Sequence, residues 1–269
     1  MLHLAMETED LGFVETLSGG VVIPRGMRLE GLASLKGNRI GTDIGLNEGR
    51  HGKVTLAAGY DLMEERYRAR IAIDSLNLHA FLPNDSLYRL DAALQAEGKG
   101  FDFFSPHTWV KVDGSVSHLR YGHRLFSGLA LEGRLARSKG KLSLSVSDHA
   151  VDASINLDAL LLPHQIKADL DGQVKRLDLQ ALSLVKNKLN PTLHIEAHAQ
   201  TDMKVNHRVR ISLTDIHLIT EENDFHTKDL HAGVEMASDS IRSYVNAGDL
   251  TFLCLLYTSD AADDTPCVD

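Results

Sequence analysis

Ile166-Lys-Ala-Asp-Leu-Asp-Gly-Gln-Val174, Leu193-His-Ile-Glu-Ala-His-Ala199 and Val209-Arg-Ile-Ser-Leu213 decide the fold. In each stretch every second residue is apolar and its neighbours are charged or polar. Successive side chains of a strand point to opposite faces, so this period of two describes a strand with one wet face and one dry face. The same alternation extends outward in both directions. Toward the N-terminus it runs through Val151, Ala153, Ile155 and Leu157, then Leu142, Leu144 and Val146, then Leu129, Leu131 and Leu135. Before those come Val110, Val112, Gly114 and Val116, Leu90 to Ala96, Tyr67 to Ile73, Val54 to Tyr60, and Ile40 to Leu46. Toward the C-terminus it resumes at Leu230, Ala232, Val234 and Met236. Turn-forming clusters such as Pro83-Asn84-Asp85, Ser138-Lys139-Gly140 and Glu222-Asn223-Asp224 separate the runs. The pattern predicts an all-β chain, a meander of short antiparallel strands. Helical spacing is sustained nowhere for long. Leu177 to Leu189 fits a helical turn or two and equally a strand followed by a loop.

Of the 269 residues, 43% are hydrophobic and only 6% aromatic, enough apolar material for an ordered structure but few large rings to fill a core. The formal charge of −9, with no cluster of Lys and Arg, argues against nucleic acid as a partner, because phosphate binding needs a basic face. No run reaches the roughly 18 apolar residues of a membrane-spanning helix, and the first residues lack the pattern of a signal peptide.

Both cysteines, Cys254 and Cys267, fall in Cys254-Leu-Leu-Tyr-Thr-Ser-Asp-Ala-Ala-Asp-Asp264 and the five residues after it. This string resembles the conceptual translation of a sequencing-library adapter. Residues 254–269 are therefore expected to be an artefact without ordered structure, and both ends of the chain to be cuts through a longer protein. Without the four acidic residues of that tail the charge is −5, and the remainder is free of cysteine.

The two halves resemble each other at an offset of about one hundred residues. Ser75-Leu-Asn-Leu-His-Ala-Phe81 matches Arg176-Leu-Asp-Leu-Gln-Ala-Leu182, Leu90 to Ala96 matches Leu193 to Ala199, and Val110-Lys-Val112 matches Val209-Arg-Ile211. The expected organisation is a lead-in over 1–25, one β-repeat over 26–160 and a second over 161–253.

Several of these segments are similar to the TamB proteins of the AsmA-like group, particularly the long forms of the Bacteroidetes type. Ala168-Asp-Leu-Asp171 leading to Leu177-Asp-Leu-Gln-Ala-Leu182 carries the resemblance, together with Leu193 to Ala199, Ile211-Ser-Leu-Thr-Asp-Ile-His-Leu218 and Val245-Asn-Ala-Gly-Asp-Leu-Thr-Phe252. It covers roughly residues 25–253, and it rests on strand and turn patterns. The membrane anchor and terminal domain of that family are not visible in this sequence. The resemblance implies an elongated antiparallel sheet curled into an open groove with an apolar interior. It implies a protein tethered in the inner membrane, reaching through the periplasm, that conducts phospholipid or assists outer-membrane protein assembly. Its partners would be phospholipid acyl chains and an outer-membrane barrel protein of the Omp85 type, with membrane association through a region outside this chain.

A face built of Leu, Ile, Val and Ala needs cover. A second sheet packed about 10 Å away can supply it, giving a closed sandwich, and so can lipid in a curled sheet. Alternation alone leaves both open, and a β-repeat adhesion or scaffold protein is the second reading. For a groove, the expected lining is Leu90, Ala92, Leu94, Ala96, Val110, Val112, Leu142, Leu144, Ile166, Ala168, Leu170, Leu193, Ile195, Ala197, Val209, Ile211 and Leu213. No catalytic, cofactor or metal site is expected. Among the fourteen histidines, His194, Glu196 and His198 alternate onto one strand face, but it is the polar face, where solvated side chains are the ordinary finding. His149 beside Asp148 lacks a nucleophile elbow, and Gly52-Lys53 lacks the remainder of a P-loop. Phe101, Phe103, Phe104 and Trp109 form the one aromatic cluster, read as a local core or strand edge.

Overall fold

The computed structural model describes residues 2–8, 22, 24, 26–47, 52–238 and 240–257. Most of them are strand, paired antiparallel throughout, in two compact units. Residues 258–269 of the adapter-like tail, and most of the lead-in, lie outside the described residues.

The first unit comprises residues 1–137 and 142–149. Its strands are β1 (Leu2–Thr8), β2 (Arg28–Lys36), β3 (Arg39–Asn47), β4 (Lys53–Asp61), β5 (Arg66–Asn77), β6 (Leu87–Lys99), β7 (Trp109–Tyr121), β8 (Arg124–Phe126), β9 (Leu129–Ala136) and most of β10 (Lys139–Ser147). Each strand pairs with the next from β1 to β7; β8 and β9 then share the edge of β7. The second unit comprises residues 138–141 and 150–269. It holds β11 (Val151–Leu162), β12 (Gln165–Leu177), β13 (Asn190–Thr201), β14 (His207–Ile219), β15 (Asp224–His226), β16 (Leu230–Met236), β17 (Ser240–Ala247) and β18 (Leu250–Tyr257). In neither unit does a described ladder join first strand to last, so the sheet is not closed. Cys254 to Tyr257, expected to be unstructured, continue β18 in register with β17.

Turn chemistry places the strand ends. Three hairpins close over two residues that begin with a glycine in the left-handed region: Gly37 (φ 60°), Gly122 (φ 58°) and Gly248 (φ 62°). The β13–β14 turn uses an aspartate. Asp202 accepts hydrogen bonds from the backbone N–H groups of Lys204, Val205 and Asn206, and from the Asn206 side chain. The Asn206 backbone N–H contributes most to holding this carboxyl well below the usual carboxylate range.

The similarity of the halves has a counterpart in the order of elements. After β5 comes one helical turn, α1 (Leu78–Phe81), then the long strands β6 and β7, the three-residue β8, and β9. After β12 comes the turn at 178–182, closed by Leu182 N–H to Asp178 O at 3.0 Å, then the long β13 and β14, the three-residue β15, and β16. The segment beyond Leu177 is thus a single turn, with the Asp178 carboxylate accepting from Ala181 N–H at 2.8 Å, and then irregular chain. In each series the short strand pairs with the late residues of the long strand before it, and the following strand pairs with the early ones.

A bulge in β5 anchors the first unit. Ile73 pairs with Ala92 but Leu76 pairs with Leu90, leaving two residues of β5 against Asp91. Ser75 takes φ 52°, and Leu76 becomes one of the few buried side chains, 8% exposed. Asp91 makes this arrangement possible: Oδ1 accepts from Ser75 N–H at 2.7 Å, and Oδ2 from Arg89 Nε at 2.7 Å. Burial pushes the Asp91 carboxyl up, but the hydrogen bonds from Arg89 and Ser75 outweigh it and hold the group below the usual aspartate value. A carboxylate whose value is depressed on folding stabilises the fold above its unfolded value and ceases to do so as pH falls through its folded one. Asp91→Asn should therefore cost about 1–3 kcal/mol at neutral pH by chemical denaturation. The gap from wild type should close as the pH is lowered through the aspartate range.

Candidate functional site: an apolar sheet face

The antiparallel register converts alternation along each strand into rows across strands. In the first unit Ile44, Leu56, Ile71, Leu94, Gly114 and Leu131 are successive cross-strand partners. Two residues along on one side lies the row Leu46, Val54, Ile73, Ala92, Val116 and Leu129; on the other side lies Thr42, Ala58, Ala69, Ala96, Val112 and Gly133. The second unit repeats the device with Leu157, Leu170, Ala197, Ile211, Ala232, Val245 and Phe252, flanked by Ile155, Gly172, Ile195, Leu213 and Leu230. Opposite faces carry rows such as Gly59, Arg68, Glu97 and Lys111, and Asp169, His198 and Arg210, tied by ion pairs including Arg68 to Glu97 at 3.4 Å.

The apolar rows are only partly covered, most of their members being half-buried. Among the described residues only Met27, Leu76 and Ala150 are buried apolar side chains. Leu142, Ile211 and Phe252, all on apolar faces, remain 40%, 39% and 65% exposed. A sandwich core packed by a second sheet would bury such positions nearly completely.

Within the first unit the face carries a concavity of about 340 Å³, lined by Ile71 and Ile73 of β5, Ala92 and Leu94 of β6, Gly114 and Val116 of β7, Leu129 and Leu131 of β9, and Leu144 of β10. Small residues shape it. A Cβ built on Gly114 would meet Leu94 Cδ1 at 3.0 Å and Leu131 Cβ at 3.6 Å, so the glycine leaves room for the leucines of the neighbouring strands. Farther along the face stands an aromatic group. Phe101 stacks on Tyr67 with ring centroids 4.9 Å apart and lies 5.9 Å from Tyr60, while Gly98 lies beneath the Tyr67 ring. Burial pushes the Tyr67 hydroxyl up from its ordinary value.

Register puts the expected lining residues on these apolar faces. Ala92, Leu94 and Leu144 line the concavity; Ala96, Val110 and Val112 continue along β6 and β7; Leu90 lies next to the bulge; and Leu142 lies against Gly133. Ile166, Ala168, Leu170, Leu193, Ile195, Ala197, Val209, Ile211 and Leu213 form the corresponding rows of the second unit. Ile71, Ile73, Gly114, Val116, Leu129 and Leu131 also line the concavity and were outside the expected set. They alternate in the same way, and only cross-strand register distinguishes them.

The polar candidates separate. His198 turns to Asp169, 2.7 Å from Nδ1 to Oδ1, whereas His194 lies between Asp171 at 3.3 Å and Glu196 at 3.5 Å. Asp148 accepts from the N–H and Oγ of Ser127 at 3.1 and 3.2 Å, which ties together two connecting segments of the first unit. Phe101 packs on tyrosines of the sheet, with no ring contact to Trp109 among the described residues.

Compared with family models, with curated proteins and with solved structures, the chain finds no match.

A partly covered face also makes a thermodynamic prediction. Leu→Ala in a closed core costs roughly 2–5 kcal/mol. Leu94→Ala and Leu131→Ala should each cost less than that, about 1 kcal/mol by urea denaturation, since both side chains are only partly buried. Losses of the full core size would reveal a covered face.

Proposed function

We propose that this chain is part of a non-enzymatic envelope-biogenesis protein of the TamB type, whose apolar sheet face shelters phospholipid acyl chains on their way to the outer membrane. The observation that carries this reading is the extent of apolar surface, in register over strand after strand, that the chain itself covers only in part. A soluble protein rarely leaves so much apolar surface contiguous unless something binds there. Moving an acyl chain through water costs about 0.8 kcal/mol per methylene, hence on the order of 13 kcal/mol for sixteen carbons. A continuous apolar track removes most of that barrier. The opposite face, with its cross-strand ion pairs, keeps the sheet soluble on its outer side.

In this reading the protein works in the periplasm, tethered to the inner membrane by a region outside this chain, and delivers lipid or assists assembly beside an outer-membrane barrel protein. A scaffold or adhesion module is the competing reading, in which a protein partner covers the same face.

Mass spectrometry of lipids that co-purify with the chain, washed free of detergent, distinguishes the two. Phospholipid should be retained by wild type and by the Gln95→Asp control on the opposite face. Leu94→Asp combined with Ile195→Asp should lose most of it. Lipid-free wild-type protein that is well folded would overturn the conduit and favour the scaffold.

A further inference from the structure

A second chemistry lies on the polar face of the second unit, independent of the lipid reading. In β14 the residues Val209, Ile211 and Leu213 face the apolar side, and continued alternation would send His217 there too. It does not go there. A bulge at Asp215, which adopts φ 49°, moves the pairing from His194–Thr214 to Thr192–His217 and reverses the faces. His217 thereby joins the polar side. A tight turn follows, held by Thr220 N–H to Asn223 O at 2.8 Å and by Asn223 N–H to Thr220 Oγ1 at 3.0 Å. It returns the chain as β15, with His226 directly opposite His217 and Asp224 two residues earlier on the same face.

The three side chains converge. The two imidazole rings are 3.8 Å apart between centroids, and one ligand atom from each residue lies within 4.8 Å of the others. His217 Nδ1 is 3.5 Å from Asp224 Oδ1, and His226 Nε2 is 3.9 Å from Asp224 Oδ2. Nitrogen and oxygen ligands sit about 2.0–2.2 Å from zinc, so neighbouring donors of a tetrahedral site are roughly 3.3 Å apart. The hairpin is within a small side-chain adjustment of that geometry. Side-chain exposures of 32%, 50% and 68% for His217, Asp224 and His226 leave the pair open to an ion and a fourth position open to water.

We propose that His217, Asp224 and His226 form a binding site for a first-row divalent cation, with zinc the best-suited ion. Two imidazoles and one carboxylate suit zinc and its neighbours better than calcium or magnesium, which prefer oxygen. The neighbouring trio of Asp171, His194 and Glu196 offers one imidazole and two carboxylates, a harder and weaker set for such ions. Occupation of the hairpin site would link β14 to the three-residue β15.

Cobalt(II) titration of the full chain carrying Cys254→Ser and Cys267→Ser, which removes thiol ligands, tests the proposal. The expected result is one cobalt ion per chain with the intense visible bands of four-coordinate cobalt, displaced by zinc. His217→Ala, His217→Asn and His226→Ala should each weaken binding by at least about 100-fold, the upper end of what loss of an outer-sphere partner alone costs. His194→Ala should leave it unchanged. Absence of cobalt binding, binding that survives His217→Asn and His226→Ala, or loss of binding on His194→Ala would overturn the assignment.

Discussion

Cross-strand register is the constraint on which the rest depends. A strand with period two has a dry side and a wet side, but a sheet inherits that distinction only if every neighbour pairs in the matching phase. The pairings Ile71–Leu94–Gly114–Leu131 and Leu170–Ala197–Ile211–Ala232 keep that phase over successive strands. A slip of one residue anywhere would bring Arg70 or Gln95 to the apolar side and break the face.

Where the phase does change, the change is local and has a visible cause. Bulges in β5 and β14 each place a non-glycine residue, Ser75 or Asp215, in the left-handed region, and each redirects the side chains beyond it. In β5 the result is a buried Leu76 secured by the hydrogen bonds of Asp91. In β14 it is the transfer of His217 to the polar face, where it meets His226. The irregularities thus account for the features that departures from a plain meander create: a small anchored core and a histidine pair.

Much of this was legible in the residues. Alternation around Leu94, Ile195 and Ile211 identifies strands, and within each uninterrupted run it separates apolar from polar faces, because side-chain direction alternates until a bulge intervenes. Three things were not legible. Which rows meet depends on register, set by turn lengths and bulges, so Ile71 and Leu131 could not be joined to Leu94 from sequence. The trio of His194, Glu196 and His198 is one strand's pattern, whereas His198 is drawn across the sheet to Asp169 and His194 is shared between Glu196 and Asp171 of the neighbouring strand. Finally, the bulge that turns His217 about is signalled only by Asp215, one of many aspartates, and nothing in the alternation marks it.

The apolar face is extensive, concave near Leu94, bordered by tyrosines, and only partly covered by its own chain. The most direct test of the claim that lipid covers it is site-specific photo-crosslinking, with a photoreactive amino acid placed in the full chain in bacterial envelopes at Leu94 or at Gln95 next to it. Phospholipid adducts at Leu94, with few or none at Gln95, are the result expected. Adducts at Leu94 made only to protein, or lipid adducts equal at both positions, would contradict it.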